Sequence, residues 1–345
     1  MNATTDALPT VDPLDLDAMA EARARWETRA KPPGSLGRLE GIAVQLAGIT
    51  GQCPPSAPNR PAVAVFAADH GVVASGASAW PVEITVAMAQ TMAAGSAAVN
   101  AFARSIGAPT VVVDVGIATP YEPSEGIRLH RVRPGTADLS TGPAMSRDEA
   151  AAAVAVGSTI AAELVDDGHD CLIGGEMGIG NTTAAAAVIG AITGGDASAV
   201  TGAGAGVPAG GIDHKRSLVA AALERARHID EPMALLAEVG GLEIAALAGY
   251  YIEAAHRRVP FVIDGVIALA ALCAAENLVP GVADRAIAGH RSGEPAATVA
   301  LDHLGLVPLL DLDLRVGEGT GACLAQPLLA AAARALAEMA DLPEG

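Results

Sequence analysis

The segment CLIGGEMGIGNTTAAAAVIGAIT, residues 171–193, holds in one run the pieces from which an open α/β sheet is built. A short apolar strand, 171–173, passes into the loop GEMGIGNTT, 175–183, and then into an alanine-rich run of helix length, 184–193. The same alternation extends outward in both directions. From about residue 60, apolar runs of strand length at 62–68, 110–115, 260–263, 286–288 and 307–312 alternate with alanine-rich stretches. That pattern predicts an α/β protein with a parallel sheet and crossover helices. Reactive side chains follow the strands: Asp69 and His70, Asp114, Glu176, Asp264, then His290-Arg291-Ser292, with Glu318 a few residues beyond the last. Open parallel sheets bind ligands beyond the carboxyl ends of their strands, so one shared crevice is expected. An aspartate before Gly265 also fits a helix cap, and His70 equally fits a hydrogen-bonding core residue.

Outside this region the chain is helical. Residues 15–51 carry apolar side chains at helical spacing, broken by a turn at 32–37, and the tail LAQPLLAAAARALAEMA reads as a helix able to pack back on them. A small helical domain from residues 1–58 and 323–345 is therefore expected beside a large α/β domain, 59–322. The 345 residues suffice for one large core or two ordinary ones. A net charge of −18 without a basic stripe argues against nucleic acid as a partner. The longest apolar run, near 266–275, is about half of what a membrane span needs. No secretory pattern opens the chain, so a cytoplasmic location is expected. Four cysteines, Cys53, Cys171, Cys273 and Cys323, are too scattered for a zinc site. Only two lysines occur, Lys31 and Lys215, where arginine otherwise supplies the positive charge.

The chemistry concentrates in two glycine-rich segments, GEMGIGNTT and GEGTGA (317–322), each carrying one glutamate. Glycine lets backbone N–H groups approach a ligand and form a concave anion site, which suits a phosphate. Such glycines also serve plain tight turns. No segment completes GxGxxG or GxxxxGK[ST], and neither a serine elbow nor HExxH is present. What remains is a monophosphate cradle beside isolated acids. Glu318, set between glycines, reads as a proton acceptor or as a turn residue; Glu176 reads as a sugar-positioning group, a support for the base, or a structural hydrogen-bonding residue. A third glycine run, VTGAGAGVPAGGIDHKRS (200–217), has the look of a mobile loop and carries Lys215.

At these residues the chain closely resembles the nicotinate-nucleotide:5,6-dimethylbenzimidazole phosphoribosyltransferase family of cobalamin biosynthesis. The likeness runs nearly end to end through KPPGSLGRLE, ADHGV, GASAWPVEIT, VVDVGI, RPGTAD, GEMGIGNTTAAAA, VGGLEIAALAG, VIDGVIALAA, HRSGEP and LGLVPLLDLDLRVGEGTGACLA. The resemblance implies a homodimer, a Rossmann-like large domain with a small helical domain from both chain ends, and neither a metal nor a redox cofactor. It implies the substrates nicotinate mononucleotide and a benzimidazole base. Glu318 takes the place of the family's general base. Lys215, Ser292 and backbone amides around Gly202 and Gly317 would meet the nucleotide phosphate, with Glu176, Gly178, Asn181, Thr182 and Gly204 completing the nucleotide side. Ser78, Trp80 and Met88 would form the benzimidazole pocket with residues just before Glu318. The sequence departs from some members in having Ala87 where they carry glutamine. Two other activities fit the same crevice: a nucleotide N-glycosidase using water, and an inert nucleotide-binding module.

Overall fold

The computed structural model describes residues 8–204, 206 and 209–343; Ala205, Val207 and Pro208 of the third glycine run, and the extreme ends of the expected helical domain, lie outside them. Among the described residues six parallel strands form one sheet: β1 Pro61–Ala68, β2 Thr110–Gly116, β3 Ile127–Leu129, β4 Cys171–Met177, β5 Phe261–Ile263 and β6 Ala286–Ala288. Their order is β3-β2-β1-β4-β5-β6. The chain winds outward from β1 in one direction and from β4 in the other, so the crevice opens where these two strands diverge.

All eight residues of β1 are buried, as expected of a parallel strand covered on both faces. The pleat divides them. Ala62, Ala64, Phe66 and Ala68 join one apolar cluster, with the helices Arg147–Asp166, Asn181–Thr193, Leu242–His256 and Val266–Leu278. Val63, Val65 and Ala67 join the other, formed by the helices Leu16–Thr28, Arg38–Thr50, Glu83–Ala93, Ala98–Ser105 and Thr320–Glu338. The terminal helices thus cover one face of the sheet. On the opposite face, helices Arg147–Asp166 and Leu242–His256 cross at Gly157 and Gly249, where an added Cβ would lie 1.7 Å from the Ala246 carbonyl and 1.9 Å from that of Val154.

Three local expectations change. Residues 307–312 form no strand; a single parallel bridge joins His290 to Leu310, because the segment runs alongside the edge strand only briefly. β3 is three residues long and has no counterpart among the expected strands, being too short and too polar (Ile-Arg-Leu) to register as a buried run. Gly175–Met177, expected in a loop, continues β4 beyond Gly174. The glycines there admit neighbours closely: a Cβ on Gly174 would lie 2.5 Å from the Tyr251 hydroxyl, and one on Gly175 2.2 Å from the Glu318 carbonyl oxygen.

Candidate active site

A cleft of 280 Å³ opens at the carboxyl ends of the strands. Of the expected residues, Glu176, Gly178, Asn181, Thr182, Gly204, Ser292, Gly317, Glu318, Trp80 and Met88 line it. Gly202 and Lys215 stand behind this lining, and Ser78 borders a smaller adjoining hollow with Gly178, Asn181 and Thr182. The Ser78 hydroxyl accepts a hydrogen bond from Trp80 N–H at 3.0 Å, fixing the turn that carries the indole. Ile84 and Met88, one turn apart on the helix Glu83–Ala93, give the cleft an apolar wall.

The two glutamates meet at the floor. Gly317, Glu318 and Gly319 all have left-handed backbone, φ 78°, 64° and 93°, which folds the turn tightly and turns the Glu318 side chain inward. One Glu318 carboxylate oxygen accepts Val99 N–H at 3.4 Å, at the start of the helix Ala98–Ser105. Glu176, near the end of β4, accepts Glu318 N–H at 3.3 Å and the Asn181 amide at 2.5 Å. Burial pushes the Glu318 pKa up, opposed by the Val99 bond and reinforced by the charge of Asp264. Glu176 is pushed up further, to about 8, first by burial and then by the charges of Asp264 and Glu243 against its hydrogen bonds. At neutral pH Glu176 is therefore mostly a neutral acid; burial raises Glu318 too, which makes it a better proton acceptor once it is ionised.

Asp264 does cap a helix, though a different one from that following it. Its carboxylate accepts Gly319, Gly321 and Ala322 N–H at 3.1, 2.7 and 3.0 Å, holding the turn of Glu318 and the start of Thr320–Glu338. His290 lies 3.4 Å from the same carboxylate. His70 is fully enclosed behind Gly178 with Nε2 2.6 Å from Glu243. Burial works against its proton, but the Glu243 carboxylate prevails and raises its pKa.

On the opposite side Lys215, at 1% exposure, donates to Thr182 Oγ1 at 2.8 Å and to the Gly202 carbonyl at 3.2 Å. Lys31 is elsewhere, paired with Glu40 at 2.8 Å and set over Trp26 in the N-terminal helices. Glu294 and Glu243 lie in the segments HRSGEP and VGGLEIAALAG, but local pattern singles out neither: Glu294 precedes Pro295 and reads as an ordinary helix start, while Glu243 sits in an apolar helical run.

An open, doubly wound α/β protein with its cleft at the strand ends is the class that this sheet order defines. The family of phosphoribosyltransferases is matched over residues 11–345. A nicotinate-nucleotide–dimethylbenzimidazole phosphoribosyltransferase of Salinispora tropica is 50% identical over 96% of this chain and 95% of its own length. The protein of that name from Chloroflexus aurantiacus is 47% identical over 100% of this chain and 98% of its own. The crystal structure of CobT from Thermus thermophilus superposes with a TM-score of 0.91 at 46% identity, covering 94% of this chain and 97% of that one. The chain belongs to the nicotinate-nucleotide–dimethylbenzimidazole phosphoribosyltransferase family. Among the described residues no helix is long and apolar enough to cross a membrane.

Proposed function

We propose that the protein transfers the phosphoribosyl group of nicotinate mononucleotide to 5,6-dimethylbenzimidazole or a related base, giving α-ribazole 5′-phosphate and nicotinate. The observation that carries this reading is Glu318: a buried carboxylate of raised pKa between an apolar wall and a lysine-backed glycine cradle. The pyridinium nitrogen of the donor already bears positive charge, so nicotinate leaves without a general acid and one base suffices. Glu318 takes the benzimidazole N–H proton while the other ring nitrogen attacks the anomeric carbon from the face opposite nicotinate, inverting it. Its negative charge also stabilises the cationic sugar of the transition state, an effect worth about 2–4 kcal/mol. Glu176, neutral and bonded to the Glu318 N–H, holds the turn without adding a second charge beside the base.

Lys215, Thr182, Ser292 and the amides of Gly202 and Gly204 form the phosphate side in this proposal, and Trp80, Ile84 and Met88 the base side. Ser78 acts through the Trp80 turn. Gly317 serves chiefly to admit Glu176, since a Cβ there would stand 2.4 Å from its Oε1. The same reading includes a cytoplasmic homodimer with small-molecule partners and no nucleic acid; exposed Trp80 and Val316 at the mouth support a partner surface there. It also includes the division into a large domain and a helical unit from both chain ends, supported by the packing of Thr320–Glu338 on the N-terminal helices.

The test is nicotinate release from nicotinate mononucleotide with and without dimethylbenzimidazole. Release should require the base and match the α-nucleotide formed. Release into water alone would indicate an N-glycosidase; no release under either condition would indicate an inert binder.

A further inference from the structure

The two glycines that the proposed function sets on the phosphate side, Gly202 and Gly204, are both already against a carboxylate. Gly204 N–H donates to Glu294 Oε1 at 2.8 Å, and a Cβ on Gly202 would lie 2.4 Å from Glu294 Oε2. Glu294 occupies the cap position of the helix Pro295–Leu304, yet its side chain makes no capping bond to that helix and reaches a loop ninety residues earlier instead. Its own N–H donates to Ser292 Oγ at 3.4 Å. Against Gly204, Thr182 Oγ1 and Lys215 Nζ stand side by side, 2.6 and 3.0 Å from where a Cβ would be and 2.8 Å from each other. The direct partners of this buried ammonium are a hydroxyl and a carbonyl, both neutral, so the negative charge it feels comes from Glu294 nearby. A buried ammonium without a counter-charge is costly. An N–H, an ammonium and two hydroxyls, all suited to an anion, are gathered around an anion supplied by the chain itself.

We propose that Glu294 is a built-in stand-in for the substrate phosphate. In the empty enzyme it takes the Gly204 N–H and supplies the charge near Lys215, keeping the cradle in shape; an arriving phosphate displaces it. The inference rests on the functional reading above, which places the phosphate at Lys215 and Gly202–Gly204. A phosphate and a carboxylate cannot share one N–H, and their like charges repel at this range. The arrangement trades affinity for a cradle that does not have to be ordered when substrate binds. As product leaves, the carboxylate returns to the N–H.

Glu294→Gln keeps the shape and removes the competing charge. It should lower the Kd for inorganic phosphate, read by calorimetry, about tenfold, and lower KM for nicotinate mononucleotide with it, while kcat moves less. A folded variant that binds phosphate no better, or more weakly, overturns the proposal; weaker nucleotide binding with unchanged phosphate affinity would show instead that Glu294 grips the ribose. A crystal structure of the unaltered protein with inorganic phosphate tests the idea without substitution. Phosphate on Gly204 N–H with Glu294 turned away supports it, and phosphate bound beside an intact Glu294–Gly204 bond overturns it. Unaltered protein that forms no α-nucleotide would bring down the functional reading itself, whereas active protein with either contrary result brings down only the displacement.

Discussion

Glu318 holds a left-handed backbone that non-glycine residues adopt at a cost of about 1–2 kcal/mol, and the fold secures it from both sides. Asp264 pins the following N–H groups and Glu176 takes its own. Such strain persists where a side chain must be aimed. Glu318→Gln, which preserves the shape and removes the proton acceptor, should lower kcat about a hundredfold or more with little change in KM for the nucleotide. Near-normal kcat in steady-state assays would reject its role. Lys215→Ala should raise that KM about tenfold, the worth of one charge-assisted hydrogen bond, with a smaller effect on kcat. An unchanged KM would place the phosphate elsewhere. The glutamates stand out in the sequence because glycines isolate them, but the raised pKa of Glu176 is not legible there: it depends on burial and on the charges of Asp264 and Glu243, 88 and 67 residues away.

At the scale of elements, the tightest packing is the crossing of Arg147–Asp166 with Leu242–His256. Gly157 and Gly249 bring backbone against backbone there, and the Phe66, Tyr250, Tyr251 and Phe261 rings pack edge-on and stacked beside it. A methyl group at Gly249 would meet the Val154 carbonyl, which no side-chain rotation can relieve. Gly249→Ala should destabilise the protein by about 1–3 kcal/mol, measured by denaturant unfolding, despite alanine's better helix propensity. Equal or greater stability would show that the helices can separate freely. The helices themselves are legible from apolar spacing and alanine content. Strand ends are less so: glycine in β4 reads locally as a loop, and only the neighbours that need its missing Cβ explain why the strand continues through it.

For the whole molecule, the buried acids make stability depend on pH. Glu176 has an ordinary value of 4.5 and is raised to about 8 by the fold, so between those values the folded state holds a proton that the unfolded chain has lost. Its contribution is fully present below pH 4.5 and is lost as pH rises toward 8, at up to about 1.4 kcal/mol per unit. Glu176→Gln removes this titration. Thermal melting of the unaltered protein should fall more steeply from about pH 5 to 8 than that of the variant; parallel curves would mean that Glu176 ionises normally. Activity should rise with pH as Glu318 loses its proton, from a midpoint above the ordinary carboxylate value.

The sequence by itself determined the alternation of strand and helix, the parallel sheet and the crevice at the strand ends, because hydrophobic period and glycine punctuation act over a few residues; of the reactive strand-end side chains it pointed to, Glu176, His290, Ser292 and Glu318 line that crevice, while Asp114 turns to Tyr121 and Arg131 instead. Only the tertiary structure decided the strand order, the cap that Asp264 gives to a distant helix, the pairing of His70 with Glu243 and the placement of Glu294 against Gly204. Each joins groups far apart in the chain, and no local preference of either partner encodes which other segment the packed core will bring beside it.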